Sequence, residues 1–290
     1  MISLTDFNFE KRLSLGNDFL DEDLDRIFSK LEIAARSSFK DDLHFKKSDF
    51  DFIRDEISKL FDAQEAYIRF LGKGSFMFHK HCHDVILSKL LPDLKNHLSS
   101  SSFSYESCQT DLGILAGTLA GHIITEDFKL NDNSECMLRY QTPMSGIRIE
   151  SDIHCILENV FKIKSEIKDS VIEIDPYNCF CYERIYNLND KNKVNVYVLL
   201  ENSIIYSIMK KLFHSDCFEQ NLFFDKFALS FTEEMSKSIS SSFRPESVYE
   251  TESERKLSFA ESENLLSQSF TYKIFFSSSV GNICLLAERK

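Results

Sequence analysis

Tryptophan is absent from this 290-residue chain, and proline and glycine are scarce at 4 and 8. So few breakers exclude a Pro- or Gly-rich linker and predict long regular elements. No apolar run reaches the roughly 18 residues that a membrane-spanning helix needs. The longest candidate, Leu112 to Ile124, is interrupted by Gly113, Gly117, Gly121 and His122. The opening stretch MISLTDFNFEKRL lacks a basic segment followed by an apolar one, so no secretory signal is read and the expected location is cytoplasmic. An excess of positive charge is missing too. Lys and Arg number 34 against 46 Asp and Glu, a net charge of −12. That balance speaks against nucleic-acid binding, which needs cations to replace counterions, and against docking on or insertion into an anionic membrane.

What the chain has in quantity is phenylalanine, 27 residues, which must carry the aromatic mass of any core. With 43% hydrophobic and 28% charged residues the composition is that of a folded globular protein. The eight cysteines (Cys82, Cys108, Cys136, Cys155, Cys179, Cys181, Cys217 and Cys284) are too sparsely spaced for a disulfide scaffold. They read as reduced and mostly buried thiols.

After an arm over residues 1–18, Leu20, Leu24, Ile27, Phe28, Leu31 and Ala35 recur at helical spacing. A second helix is predicted near 48–61 with Ser48 as its cap, an extended stretch over 65–78, and a helix over 83–98 disturbed at Pro92. Residues 110–125 read as a helix and 134–150 as two strands. The second half predicts a helix over 151–167 and strands over 171–174, 179–186 and 194–200. A short helix follows over 203–213, a long one over 223–243, and strands near 247–257, 267–276 and 282–287. The order in the two halves is similar. The expectation is an α+β protein duplicated about Glu150, with domains 19–150 and 151–290, each placing long helices on an antiparallel sheet.

The segment KVNVYVLLENSIIYSIMKKLFHSDCFEQNLFFDKFALSFTEEMSKSIS, with the closing QSFTYKIFFSSSVGNICLLAERK, resembles the CheX/CheC phosphatase family, which is related to the FliM middle domain. In the first half TDLGILAGTLAGHII resembles that family's second signature helix, with Ala116-Gly117 on its Ala-Gly pair. The resemblance implies two CheX/CheC-like units and a chemotaxis or related signal-transduction role. The expected partner is a CheY-type response regulator or other signalling protein, with self-association left open. Family members hydrolyse the regulator's aspartyl-phosphate with a Glu-x-x-Asn pair. Matching apolar positions puts the Glu on Glu234 and the Asn on Lys237. Phe227, Phe231, Met235 and Ile239 would face the core, and Glu234, Ser230, Lys237 and Ser241 its flank. The first-half counterparts are Thr110 and Gly113. A protonated lysine has no acceptor with which to orient a water, so the phosphatase pair reads as degenerate. The expectation is a binding protein; an active phosphatase using Glu234 and a structural component of a flagellar or secretion apparatus are the alternatives.

Three further patterns stand out. His79-Lys80-His81-Cys82-His83 is the densest set of metal-ligand types. On an extended stretch His79, His81 and His83 would share one face, with His44, His97 or Cys108 to complete a site. A polar junction is preferred, with no metal or cofactor expected; the rival is a metal-dependent sensor. Cys179-Phe180-Cys181 on a strand would turn both thiols to one face and the ring to the other. Gly113, Gly117 and Gly121 recur every four residues of a helix, and each costs roughly 1 kcal/mol against Ala. Such a stripe predicts a close helix contact. The acidic and apolar segment FLDEDLDRIF, Phe19 to Phe28, vaguely resembles the N-terminal motif of FliM, and a plain amphipathic first helix is preferred.

Overall fold

The computed structural model describes residues 18–38, 47–71, 76–100, 104–127, 165–168, 174–189, 192–213, 221–241, 251–268, 270, 272–278 and 281–289. Up to residue 127 the described residues form helices and turns with no strand. Helix α1 spans Asp18–Ser38 and α2 Lys47–Leu71. Helix α3, Phe76–Val85, runs through a π turn at Ile86–Leu90 into α4, Leu91–Leu98. The π turn has a local cause. Pro92 has no N–H to donate and its ring crowds the carbonyl four residues back, and a widened turn before it relieves both. Helix α5, Tyr105–Thr125, begins on a reciprocal cap between Ser104 and Ser107.

In the second half β1 (Ser165–Lys168), β2 (Cys179–Asn189) and β3 (Asn192–Glu201) precede α6 (Asn202–Phe213) and α7 (Leu222–Ser241). Strand β4 (Thr251–Lys256), helix α8 (Phe259–Leu266), β5 (Tyr272–Ser278) and β6 (Gly281–Arg289) follow. All six strands pair antiparallel in the order β1-β5-β6-β3-β2-β4. The protein is therefore α+β. Its sheet separates two apolar layers because β3 alternates: Val196, Val198 and Leu200 face one side, Tyr197 and Leu199 the other. The first side meets α6 and α7; the second is closed by Ile174, Leu257 and Leu265. No helix among the described residues is long and apolar enough to cross a membrane.

The large core runs without interruption from α1 and α2 through α5 and α7 to the sheet. Phenylalanine does the work the composition assigned to it: Phe28, Phe213, Phe223, Phe227 and Phe231 are fully buried and meet at ring distances of 5.5–6.5 Å. Phe227, Phe231 and Met235 face inward as their spacing predicts. The side chain of Ile239 lies outside the described ones. The apolar side of α1 (Leu20, Leu24, Ile27 and Phe28) is buried in the chain's own core, so the first helix is an ordinary amphipathic one.

Several expectations are corrected. The described part of the stretch expected to be extended, 65–71 and 76–78, is helical: α2 continues to Leu71 and α3 starts at Phe76. The alternation of polar and apolar residues there is compatible with both periods, and the helical one is adopted, with Ile68 fully buried in α2. Ser48 lies within α2 and does not precede it. Ile167 belongs to β1, an edge strand paired with β5, not to a helix. Helix α8 was unforeseen, although Ser258 and Glu261 form a full capping box. The strands expected over 134–150 lie outside the described residues, and among the described residues there is one sheet.

Candidate metal centre

The glycine stripe on α5 has a visible cause. A Cβ on Gly113 would lie 2.6 Å from the carbonyl oxygen of Phe223, and one on Gly117 2.4 Å from that of Phe227. A Cβ on Gly121 would lie 2.4 Å from Cβ of Glu234. The contacts advance together along both helices, so α5 and α7 run parallel with their backbones nearly touching. The close packing expected of the stripe is intramolecular. It also fixes where the C-terminal turn of α5, with His122, sits in the core.

His122 meets three other residues there, from two places in the chain. His79 and His83 are one turn apart on α3, an (i, i+4) pair that presents both rings on one side of the helix. Asp127 follows the end of α5. All four are buried, at 2%, 0%, 1% and 2% exposure for His79, His83, His122 and Asp127. One nitrogen or oxygen from each lies within 4.8 Å of the others. His79 Nε2 is 3.1 Å and His122 Nε2 3.3 Å from the same carboxylate oxygen, Asp127 Oδ1. Neither contact has hydrogen-bond alignment: His79 Nε2, His83 Nε2, both nitrogens of His122 and Asp127 Oδ1 are buried without a hydrogen-bond partner. The three imidazole centroids are 4.4, 4.9 and 5.0 Å apart.

The surroundings orient these groups. His83 Nδ1 lies 3.3 Å from Glu65 Oε1, which makes Nδ1 the protonated nitrogen and leaves Nε2 as a free lone pair. Phe61 stacks on the same ring at 3.8 Å with an interplanar angle of 4°, which stops it turning. Gln64 Nε2 donates to Asp127 Oδ2 at 2.6 Å and holds that carboxylate by the oxygen turned away from the histidines. Carboxylate–histidine and amide–carboxylate contacts of this kind are what orient metal ligands. Burial, reinforced by the positive charge on His122, pushes the His83 imidazole down to about 2, so it is neutral, the form a metal requires. Burial opposes the charged form of His122 as well, but the Asp127 carboxylate outweighs it and raises that group to about 10. Asp127 is itself held well below the ordinary carboxylate range, since His122 and His79 together outweigh its burial.

The sequence reading had the right neighbourhood and the wrong geometry. An extended stretch would group His79, His81 and His83; the helix groups His79 with His83 and turns His81 to solvent. The expected polar junction is a buried one. Of the residues considered to complete the set, His97 is exposed and pairs with Asp111 at 2.8 Å, Cys108 packs in the apolar core, and His44 lies outside the described residues. His122 and Asp127 complete it instead. The available signal was a histidine set among Gly121, Ile123 and Ile124, an apolar context in which a lone imidazole needs a partner.

Comparison with known proteins adds one likeness. The structure is similar to the crystal structure of chemotaxis protein CheX from Vibrio vulnificus, with a TM-score of 0.33 and 10% identity over 49% of this chain and 93% of that one. No protein-family model and no curated protein matches the sequence.

Glu234 and Lys237 are one turn apart on α7 as the register requires, but not on an open face. Their side chains are only 16% and 32% exposed, because Glu234 packs over Gly121 of α5. Lys237 Nζ is held at 2.7 Å by both Glu233 Oε1 and Glu234 Oε1. Burial opposes its charge, yet the two carboxylates win and raise it to about 12. Cys179 and Cys181 share the second face of the sheet and Phe180 the first, as their alternation predicts. Burial pushes Cys179 up to about 12, and the thiol is inert. The described cysteines form no disulfide.

Proposed function

We propose that the chain is a metal-dependent binding protein of the signalling kind. In this reading His79, His83, His122 and Asp127 hold one divalent transition-metal ion that ties α3 to the end of α5. A single observation carries it: four ligand-type atoms within 4.8 Å of one another, buried and without hydrogen-bond partners. The His79–Asp127 and His122–Asp127 contacts offset only part of the cost of burying these groups, and an ion that takes four lone pairs, displacing the proton of His122, removes the rest. Three imidazoles and a carboxylate suit zinc, iron or nickel and disfavour calcium or magnesium. Asp127 offsets one of the ion's charges, and Glu65, acting through His83, offsets the other. Protein purified without a histidine tag is expected to carry one such ion per chain, measured by elemental analysis. His83→Ala and His122→Ala should lose it, and His81→Ala should keep it. Metal-free protein that takes up neither zinc nor cobalt would overturn the reading.

A second reading, engagement of a CheY-type response regulator or related partner through α7, is favoured by the partly exposed turn that Glu234 and Lys237 share at the lip of the α5–α7 seam. Lys237 is occupied by two carboxylates and has no acceptor for a water, so binding is favoured over phosphate hydrolysis. The native protein is expected to leave the regulator's aspartyl-phosphate lifetime unchanged, and Lys237→Asn to shorten it by about ten-fold in single turnover, the gain coming from positioning of water. Fast native hydrolysis that is lost in Glu234→Ala would show the pair to be an active site.

A further inference from the structure

Gln64 lies beside the four ligands at 0% exposure. Its Nε2 donates to Asp127 Oδ2 at 2.6 Å, which settles the orientation of the amide: turned over, it would set oxygen against carboxylate oxygen. Oε1 is thereby left as an acceptor, buried and with no donor among the described residues. One ion accounts for one atom from each of the three histidines and from Asp127. It does nothing for Oε1, because a cation supplies no proton and an amide oxygen needs an N–H or O–H. Of the buried atoms at this place without a hydrogen-bond partner, Gln64 Oε1 is the one that a four-ligand ion leaves unaccounted for, since Cys82 lies against the His122 ring.

Resting on the metal reading above, we propose that the centre keeps a fifth coordination position filled by a water or hydroxide, whose O–H donates to Gln64 Oε1. The ion then has an exogenous oxygen ligand inside a closed core, and Gln64 has two tasks: its nitrogen positions Asp127 and its oxygen holds the bound water. This separates the centre from a purely structural four-ligand site, which has no open position. A buried water usually makes about three such contacts, and the metal and Oε1 supply two of them.

Cobalt-loaded full-length protein tests this. In water enriched in the magnetic oxygen isotope its low-temperature EPR signal is expected to broaden, and its visible absorption should have the weak bands of a five-coordinate ion. Gln64→Met keeps the length and loses both the acceptor and the donor to Asp127, so the comparison is made per bound cobalt. On that basis the broadening should vanish and the absorption should rise toward the four-coordinate form. An unbroadened native signal with intense four-coordinate absorption would overturn the proposal, as would full broadening retained in Gln64→Met. The native measurement decides by itself if the variant fails to fold. A native protein that takes up no cobalt would strike at the metal reading, which keeps the two failures apart.

Discussion

Removing the metal from the purified protein is expected to lower its thermal unfolding midpoint by about 5–10 °C. An ion present at a hundred times its dissociation constant adds about 2.7 kcal/mol to the folded state, and each kcal/mol moves the midpoint of a chain this large by about 2–4 °C. The ligands explain why the loss should be global. His79 and His83 are on α3, His122 is on α5 and Asp127 follows it, so the ion joins ligands about forty residues apart in sequence. Without it the folded chain must keep three imidazoles at centroid distances of 4.4–5.0 Å, with the His122–Asp127 ion pair as their compensation. Differential scanning of native and chelator-treated protein, with zinc restored, measures the effect. Asp127→Asn should be less stable at the outset and respond little to zinc. Equal midpoints for native and chelated protein, after confirmed removal of the ion, would count against metal-linked stability.

Gly117→Ala is expected to destabilise the fold by about 2 kcal/mol, although alanine is the better helix former by about 1 kcal/mol. The added methyl would lie 2.4 Å from the carbonyl oxygen and 3.0 Å from the Cα of Phe227. Those are backbone atoms and cannot swing aside as a side chain would. The helices must separate, and overpacking of that kind costs about 1–3 kcal/mol. Separation would also loosen Phe227 and Phe231, both fully buried on α7. Ala120→Gly on the same helix is the opposite change: Ala120 is buried in the core, so the variant should lose the propensity term of about 1 kcal/mol and the burial of one methyl, about 1 kcal/mol, without forcing the helices apart. Urea unfolding of both variants reads the difference. A Gly117→Ala protein more stable than the native one would show that α5 and α7 do not approach as closely as described.

These two predictions differ in how far they could be seen from sequence. The four-residue repeat of Gly113, Gly117 and Gly121 announces a close helix contact by itself, because nothing else makes three costly glycines worth keeping in an apolar helix. Which helix they meet was not legible, since α7 lies about a hundred residues further on and no local pattern names it. Likewise His79 and His83 were visible as ligand types, but their grouping depended on period. Two-residue alternation would have put His81 with them, and helical geometry put His83 one turn above His79 and His81 outside. His122 and Asp127 join them only because α5 is pressed against its neighbours.

By itself the sequence determined the composition of the core, the strand faces and most helices. The α+β class follows from repeating patterns of two and of three to four residues, and so do the opposite faces of Phe180 and the flanking thiols Cys179 and Cys181. Those are local properties, written in consecutive side chains. Only the tertiary structure decided that one core runs from the first helices to the sheet, that Glu234 and Lys237 are packed against Gly121, and that the histidines and Asp127 converge. Convergence of this kind depends on contacts between residues far apart in the chain. Burial and backbone approach select those contacts, and no periodicity records them.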